Sequence, residues 1–260
     1  MKIKSLFILI VLMLIFVSFT SRQTKILMAG DSTMADKVFF KTVTDSVDGQ
    51  VFEEPFLERG WGQLLPEFVN EKVIVKNYAK NGRSTRTFIE EGLWTELINS
   101  TSKGDFVIIQ FGHNDAAVAK KSYTNSEQFR LNFIAFVNDV RAKGANPIVC
   151  TPVARRKFNE NGILELTHGE YPDLIRSLAK AQKVPLIDLE KLTTDWLQNE
   201  GVVLSKKYFH NYPPGVSKVY PKGLEDNTHF NEAGARHVAL LFVQGVKKLE
   251  IKGIKKLINQ

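Results

Sequence analysis

The chain has 260 residues, of which 43% are hydrophobic and 24% are charged, a composition typical of a globular protein with one sizeable core. The net charge is +7, which is compatible with a polyanionic substrate, but no basic block with interleaved aromatic residues points to nucleic-acid binding. A single cysteine, Cys150, excludes an internal disulfide bond.

The chain begins with the segment MKIKSLFILIVLMLIFVSFTS, in which Lys2 and Lys4 precede an apolar run from Leu6 to Phe19. This pattern is typical of a secretory signal peptide, so we predict that residues 1–22 are a signal peptide and that the mature protein is secreted or periplasmic. An uncleaved anchor is the alternative, because SFTS is not a clear A-x-A cleavage pattern. After cleavage we expect no association with a membrane, since no later segment is apolar and long enough to span one.

The remaining residues, 23–260, are predicted to form one α/β domain with a central five-stranded parallel sheet. Several of the strand segments are nearly continuously apolar, as expected for strands buried on both faces. Helical patterns alternate with them, which favours βαβ units. The predicted strands are residues 25–29, 72–79, 105–112, 146–152 and 184–189.

The clearest helix lies between the third and fourth strands. Apolar residues recur at helical spacing from Phe129 to Val140. Thr124 and Glu127 predict a capping box at its start, and Gly144 predicts its end. Two further helices are predicted at 171–183 and 231–249.

Four longer stretches are predicted to be irregular, and three of them begin at the carboxyl end of a predicted strand. Ligands of open α/β sheets bind at that edge. We expect residues 33–58, 151–170 and 202–225 to shape the choice of substrate. The stretches are residues 33–58, 113–124, 151–170 and 202–228.

The first strand runs directly into AGDSTMAD, which places Ser32 at its carboxyl end, in a turn before a predicted helical segment. Gly30 is expected to allow the sharp turn. Ser32 on its own could be an ordinary helix N-cap. As a nucleophile it would need a base within hydrogen-bonding distance, and that base would need an orienting group.

The string DNTHFNEAGA offers such a pair just before the last predicted helix. His229 could accept the proton of Ser32 while Asp226 holds its other N–H. The alternative is a surface loop in which Asp226 caps the helix. Two donors for a developing oxyanion are also available: the backbone N–H of Gly82 in a turn, and the side-chain amide of Asn114. Each could instead be an ordinary loop residue.

The remaining titratable residues near these segments are interpreted as structural. His113 is expected to be a structural or pocket-wall residue, and Asp31 and Asp115 are expected to support loops. No cofactor or metal ion is expected, since P-loop and H-E-x-x-H motifs are absent from the sequence. The absence of a G-x-S-x-G motif excludes the usual α/β-hydrolase elbow. The other histidines are interpreted as surface or packing residues: His168, His210 and His237.

Four short blocks resemble those of the SGNH, or GDSL-type, hydrolases: GDS at 30–32, the glycine of KNGRST at 82, GHND at 112–115 and DNTH at 226–229. Their order and placement match, and the resemblance covers residues 24–250. The longer strings GDSTMAD, RGWGQLLPEF, QFGHNDA, VPLIDL and DNTHFNEAGA are closer still to the rhamnogalacturonan acetylesterase branch of that family.

The resemblance implies a flavodoxin-like, three-layer α/β/α fold and an esterase that needs no cofactor. It implies that Ser32 is the nucleophile and first oxyanion donor, that Gly82 and Asn114 complete the oxyanion hole, and that Asp226 and His229 complete the triad. The implied substrate is an acetylated polysaccharide or oligosaccharide of the pectic type. A lipid-directed esterase or lysophospholipase, or a non-catalytic carbohydrate-binding protein, stays open as the alternative, and the oligomeric state is unknown.

Overall fold

The computed structural model describes residues 22–44, 49–251 and 253–259. The predicted signal peptide, residues 1–22, lies outside this part of the chain except for Arg22. No helix within the described ranges has the length and apolar character needed to cross a membrane.

Ten strands and seven α-helices occur in the described residues. The strands are β1 (Lys25–Gly30), β2 (Phe40–Thr44), β3 (Val51–Pro55), β4 (Glu58–Arg59), β5 (Ile74–Asn77), β6 (Phe106–Gln110), β7 (Asn146–Cys150), β8 (Leu186–Ile187), β9 (Phe209–Tyr212) and β10 (Leu224–Asn231). The helices are α1 (Trp61–Leu64), α2 (Thr85–Glu90), α3 (Leu93–Ser100), α4 (Ser126–Ala142), α5 (Tyr171–Gln182), α6 (Leu189–Leu204) and α7 (Glu232–Lys248).

The central sheet has five parallel strands in the order β5-β1-β6-β7-β8. Side chains alternate between its two faces, because successive residues of a strand point to opposite sides. Ile26 and Met28 of β1 join one buried cluster, whereas Leu27 and Ala29 join the other. Helices α1 and α7 contribute to the first cluster, and α2 to α5 contribute to the second. The predicted three-layer α/β/α fold with a five-stranded parallel sheet is confirmed.

Helix α4 begins differently from the prediction. Its N-cap is Asn125, whose side chain accepts a hydrogen bond from the Gln128 N–H at 2.8 Å. The predicted capping box at Thr124 is therefore wrong, and the Thr124 hydroxyl lies 3.0 Å from Ser84 Oγ instead. The end is as predicted, because Gly144 follows the last turn with a φ of +66°.

Two of the stretches predicted to be irregular contain strands. Residues 33–58 include the β2–β3 hairpin, and residues 202–228 include β9 and the start of β10. Along the hairpin strands, exposed and half-buried residues alternate. A strand covered on one side only lacks the continuous apolar run by which the central strands were recognised. The small antiparallel sheet β4-β10-β9 carries the segment that contains Asp226 and His229.

Candidate active site

The turn after β1 presents Ser32 at the carboxyl edge of the sheet. A Cβ at Gly30 would lie 2.7 Å from Met34 Sδ and 3.0 Å from the Gln110 carbonyl oxygen, so glycine is required here for space. The Ala35 N–H donates to the Asp31 carbonyl at 3.0 Å, which closes a single turn. The predicted helical segment does not form, and Ser32 caps no helix.

Ser32, His229 and Asp226 form one hydrogen-bonded chain. Ser32 Oγ lies 2.8 Å from His229 Nε2, and His229 Nδ1 lies 2.7 Å from Asp226 Oδ2. The first of these contacts joins residues 197 positions apart in the sequence. A serine bonded to an imidazole that a carboxylate orients is the arrangement that can activate a serine as a nucleophile.

Asp226 is held from several directions where the pairing of β10 with β9 shifts register, between Glu225 and Phe230. Its Oδ1 accepts the N–H groups of Thr228 at 2.7 Å and His229 at 2.9 Å. Its own N–H donates to the side chain of Asn211 at 3.0 Å. Asp226 therefore orients the imidazole and the loop together.

The charge of Asp226 is stabilised by its donors. Burial alone would raise the pKa of this carboxyl, but hydrogen bonds from the His229 side chain and from two backbone N–H groups outweigh it, and the pKa falls to about 2. Asp226 does not cap the following helix, because Asn231 accepts the Gly234 N–H at 3.1 Å in that role.

The other two predicted residues lie on loops that contact each other. Gly82 is exposed in a turn with a φ of +77°, a conformation that favours glycine. Asn114 is 5% exposed, and its side-chain Nδ2 donates to the carbonyl of Arg83 at 3.0 Å. The amide has a second N–H, so this bond fixes the side chain and leaves one donor for another acceptor.

A buried lysine connects the loops around these residues, and the sequence analysis did not identify it. Lys37 follows the Ser32 turn, and its side chain is 2% exposed. Its Nζ forms an ion pair with Glu58 at 2.7 Å and a hydrogen bond with the side chain of Asn81, next to Gly82. A lone lysine in a loop gives no sequence signal for this role, since it looks like a surface residue.

A second polar chain supports the Ser32 turn from inside the sheet. Trp61 Nε1 donates to the Gln110 side chain at 2.6 Å, and Gln110 donates to Thr33 Oγ1 at 2.8 Å. Thr33 in turn donates to Asp31 through its N–H at 3.0 Å and its hydroxyl at 2.8 Å. Burial raises the pKa of Asp31, and the hydrogen bonds from Thr33 oppose this effect only in part. The sequence feature that could have indicated this network is Gln110, a polar residue at the end of the apolar run FVIIQ.

His113 and Asp115 lie on either side of Asn114 and are both buried, as expected for supporting residues. His113 Nδ1 lies 3.1 Å from His168 Nε2, and Arg155 donates to the His113 carbonyl at 3.2 Å. Burial places the pKa of His113 well below its usual value, and electrostatic interaction with His168 and Arg155 adds to the effect. Asp115 accepts the N–H of Thr85 at 2.8 Å, and burial raises its pKa to about 7.

The remaining histidines are packing residues. His168 is buried with its Nδ1 3.4 Å from Glu190, and His237 stacks on Trp196 with ring centroids 4.1 Å apart. His210 is buried beside Phe56. In the described ranges, no group of three or more His, Cys, Asp or Glu side chains converges to hold a metal ion.

Comparison with known proteins gives a consistent result. The model of the GDSL-like lipase/acylhydrolase family matches residues 29–237. The chain is 40% identical over 229 residues to rhamnogalacturonan acetylesterase RhgT of Bacillus subtilis, covering 88% of this chain and 91% of that protein. It is 24% identical over 242 residues to the rhamnogalacturonan acetylesterase of Emericella nidulans, covering 85% and 84% of the two chains.

Solved structures share the fold. Protein YxiM of Bacillus subtilis superposes with a TM-score of 0.71 at 27% identity, covering 89% of this chain and 58% of that one. Acetylxylan esterase Axe2 of Geobacillus stearothermophilus gives a TM-score of 0.59 at 16% identity, with 86% and 94% covered, a likeness of fold alone.

Proposed function

Because the chain belongs to the GDSL-like lipase/acylhydrolase family, a family of esterases, we propose that it is a serine esterase that removes O-acetyl groups from a pectic polysaccharide such as rhamnogalacturonan. The hydrogen-bonded chain from Ser32 through His229 to Asp226 is the observation that carries the chemistry. The relative RhgT, which is named for rhamnogalacturonan and matches along most of the chain, supports the choice of substrate.

In the proposed first half-reaction, His229 accepts the hydroxyl proton of Ser32 at Nε2 while its Nδ1–H stays bonded to Asp226. Ser32 Oγ attacks the acetyl carbonyl, and the oxygen of the tetrahedral intermediate becomes negative. The backbone N–H groups of Ser32 and Gly82 and the side chain of Asn114 donate to this oxygen. The intermediate collapses as His229 returns the proton to the departing sugar oxygen, which leaves an acetyl group on Ser32.

In the second half-reaction, His229 takes a proton from a water molecule that attacks the acetylated Ser32. The second intermediate forms at the same donors and collapses to acetate, and the proton returns to Ser32 Oγ. Each cycle consumes one water molecule and releases one deacetylated hydroxyl, one acetate and one proton.

The central test is Ser32→Ala. We expect this variant to keep the melting temperature of the wild type and to lose roughly 10³-fold or more in kcat with 4-nitrophenyl acetate. Thr42→Ala, in the β2–β3 hairpin, provides a control with near-normal turnover. Near-normal turnover of Ser32→Ala itself would remove Ser32 from the mechanism.

The substrate is tested by acetate release from acetylated pectin, xylan and mannan. Acetate release mainly from pectin supports a pectic substrate. Faster release from xylan or mannan would show that the substrate is that polysaccharide instead. Rates with 4-nitrophenyl esters of increasing acyl length test the lipid-directed alternative. A lipase needs an apolar groove and should prefer long acyl chains, whereas an acetylesterase needs a short pocket and should prefer acetate.

We also propose that the mature enzyme acts outside the cytoplasm after loss of residues 1–22. The basic and apolar start of the chain supports this location. Mass spectrometry of the protein from its native host is expected to place the N-terminus near residues 20–24. An intact Met1 on a membrane-bound protein would favour an uncleaved anchor.

A further inference from the structure

Lys41 is a half-buried cation without a carboxylate partner among the described residues. Its Nζ lies 3.7 Å from the centroid of the Phe56 ring and 5.6 Å from that of Tyr220. Its nearest oxygen contact is the Tyr220 hydroxyl, at 3.5 Å. Such an ammonium group keeps its capacity to bind an anion, since aromatic faces and a distant hydroxyl do not neutralise its charge.

Two described carboxylates near Lys41 are held by other groups. Glu54 is its cross-strand neighbour on β3, but that side chain bonds with the Ser217 hydroxyl and accepts the Lys218 N–H at 2.6 Å. Glu58 is paired with Lys37 at 2.7 Å. Within the described part of the chain, the Lys41 ammonium therefore has no ion-pair partner and can bind an anionic ligand.

This charge lies beside the Asp226–His229 segment, and His210 connects the two. The His210 ring packs edge-on against Phe56 at 4.9 Å and against Tyr220 at 5.7 Å. Its neighbour on β9, Asn211, accepts the N–H of Asp226 at 3.0 Å. Lys41 is thus connected to the Asp226–His229 segment through Phe56, His210 and the neighbouring Asn211.

His210 itself provides an unused polar atom between them. It is 1% exposed, and its Nε2 has no hydrogen-bond partner within the described part of the chain. Its Nδ1 lies 3.8 Å from Glu58 Oε2. Burial lowers the pKa of His210, and the charges of Glu58, Asp226, His229 and Lys41 also act on it.

We propose that Lys41 and Tyr220 form a subsite that binds a uronate carboxylate of the substrate near the acetylated position. The ammonium and the hydroxyl would donate to the carboxylate, while the Phe56 and Tyr220 rings offer apolar faces to the sugar. The inference rests on the proposed function and adds to it that the enzyme recognises the charge of a uronate, and not only its acetyl group.

The test compares two forms of one substrate. Acetylated pectic oligosaccharides carry free uronate carboxylates, and the same oligosaccharides with methyl-esterified carboxylates keep the backbone and the acetyl groups but lose the charge. Acetate release gives kcat/KM for each form. We expect the wild type to prefer the free acid by roughly tenfold, as one charge-assisted contact implies, and to lose the preference as ionic strength rises.

Lys41→Met keeps the aliphatic stem over Phe56 and removes the charge. It is expected to reduce the preference for the free acid to near one, through a higher KM for that form, with turnover of 4-nitrophenyl acetate unchanged. Tyr220→Phe removes only the hydroxyl and is expected to lower the preference by a smaller factor. Melting temperatures verify that both variants are folded.

Lys207→Met is the matched control. Lys207 also lies over a tyrosine ring, with its Nζ 4.8 Å from the centroid of Tyr208, but it is paired with Glu200 at 3.2 Å. Its removal changes the net charge equally, so general attraction of a polyanion would fall to the same extent in both variants.

The proposal is overturned if the wild type treats both substrate forms alike, if Lys41→Met keeps the preference, or if Lys207→Met loses it equally. Failure of the proposed function looks different. In that case the wild type hydrolyses 4-nitrophenyl acetate but releases acetate from no polysaccharide in either charge form.

Discussion

At the scale of single residues, Asn114 has a position that couples two loops. Its bond to the Arg83 carbonyl joins the loop after β6 to the loop that contains Gly82. This contact gives the side chain a structural task in addition to its proposed donation to the oxyanion. The two tasks have different kinetic signatures, because donation to an oxyanion acts mainly in the transition state.

Asn114→Ala is expected to lower kcat by about 10² to 10³ and to change KM little, since one oxyanion donor is lost. The lost bond to Arg83 should cost about 1 kcal/mol of unfolding free energy. Asn146→Ala is the matched control, because Asn146 makes a similar 3.1 Å bond to the Asp105 carbonyl at the other end of the sheet. If Asn114→Ala raised KM and left kcat intact, Asn114 would be a loop residue only.

Asp226→Asn should lower kcat by about 10³ to 10⁴, because an amide can donate to the imidazole and turn it away from Ser32. Its pH dependence is also expected to differ. The pKa of the Asp226 carboxyl is about 2 in the folded protein and near 4 in the unfolded chain. The carboxylate therefore stabilises the fold at a pH above 4, and this contribution is lost as the pH falls from 4 through 2.

The melting temperature of the wild type should therefore fall more steeply between pH 4 and pH 2 than that of Asp226→Asn. Asp195→Asn, at an exposed carboxylate paired with Lys191, should leave turnover unchanged. Equal acid sensitivity of the wild type and Asp226→Asn would show that the carboxylate is not stabilised in the fold.

At the scale of elements, Lys37 is a junction between three segments of the candidate site. It follows the Ser32 turn, bonds to Asn81 beside Gly82, and pairs with Glu58 on β4. Strand β4 pairs with β10, which carries Asp226 and His229. One buried ammonium thus relates the positions of the proposed nucleophile, oxyanion donor and base.

Lys37→Met should leave the half-buried Glu58 carboxylate without its lysine partner, so we expect a loss of stability of about 1 to 3 kcal/mol. Where the variant folds, kcat should fall by more than KM rises, since the loops lose their mutual alignment. Lys25→Met removes a similar ion pair, with Asp105 at 3.5 Å, at the start of β1. That variant should be less stable but have normal kcat, and equal kcat losses in both would refute the junction role.

What could be predicted from the sequence follows from how each element is buried. Strands covered on both faces, such as β6 with all five residues buried, were recognised by their apolar runs. The hairpin strands and β9 were missed because polar residues interrupt them and leave no continuous apolar run. The five site residues were found because short blocks around them resemble a known family, and their catalytic roles stay predictions.

Partners supplied by distant segments were beyond prediction. Lys37 and Glu58 lie 21 positions apart in a stretch predicted to be irregular, and nothing in either residue indicates that they meet. The same holds for Trp61 and Gln110, whose bond supports the Ser32 turn. The esterase family, in contrast, was predicted from the sequence and is confirmed by the comparisons.

At the scale of the whole molecule, the candidate site draws on both ends of the fold. Ser32 follows the first strand, which lies between β5 and β6 in the parallel sheet, and His229 lies on the last strand. Between them the chain forms the rest of the sheet and most of its helical cover. The 2.8 Å contact between the two side chains exists only when both ends have docked.

Esterase activity therefore reports when folding of the whole chain is complete. A growing chain that has not yet released β10 from the ribosome would be inert, however well its first strands have formed. In refolding from denaturant, we expect hydrolysis of 4-nitrophenyl acetate to recover with the slowest structural phase, because closure of such a long loop is a late and slow event. Tryptophan fluorescence at Trp61 and Trp94, within the two cores, should recover earlier or at the same rate, but never later.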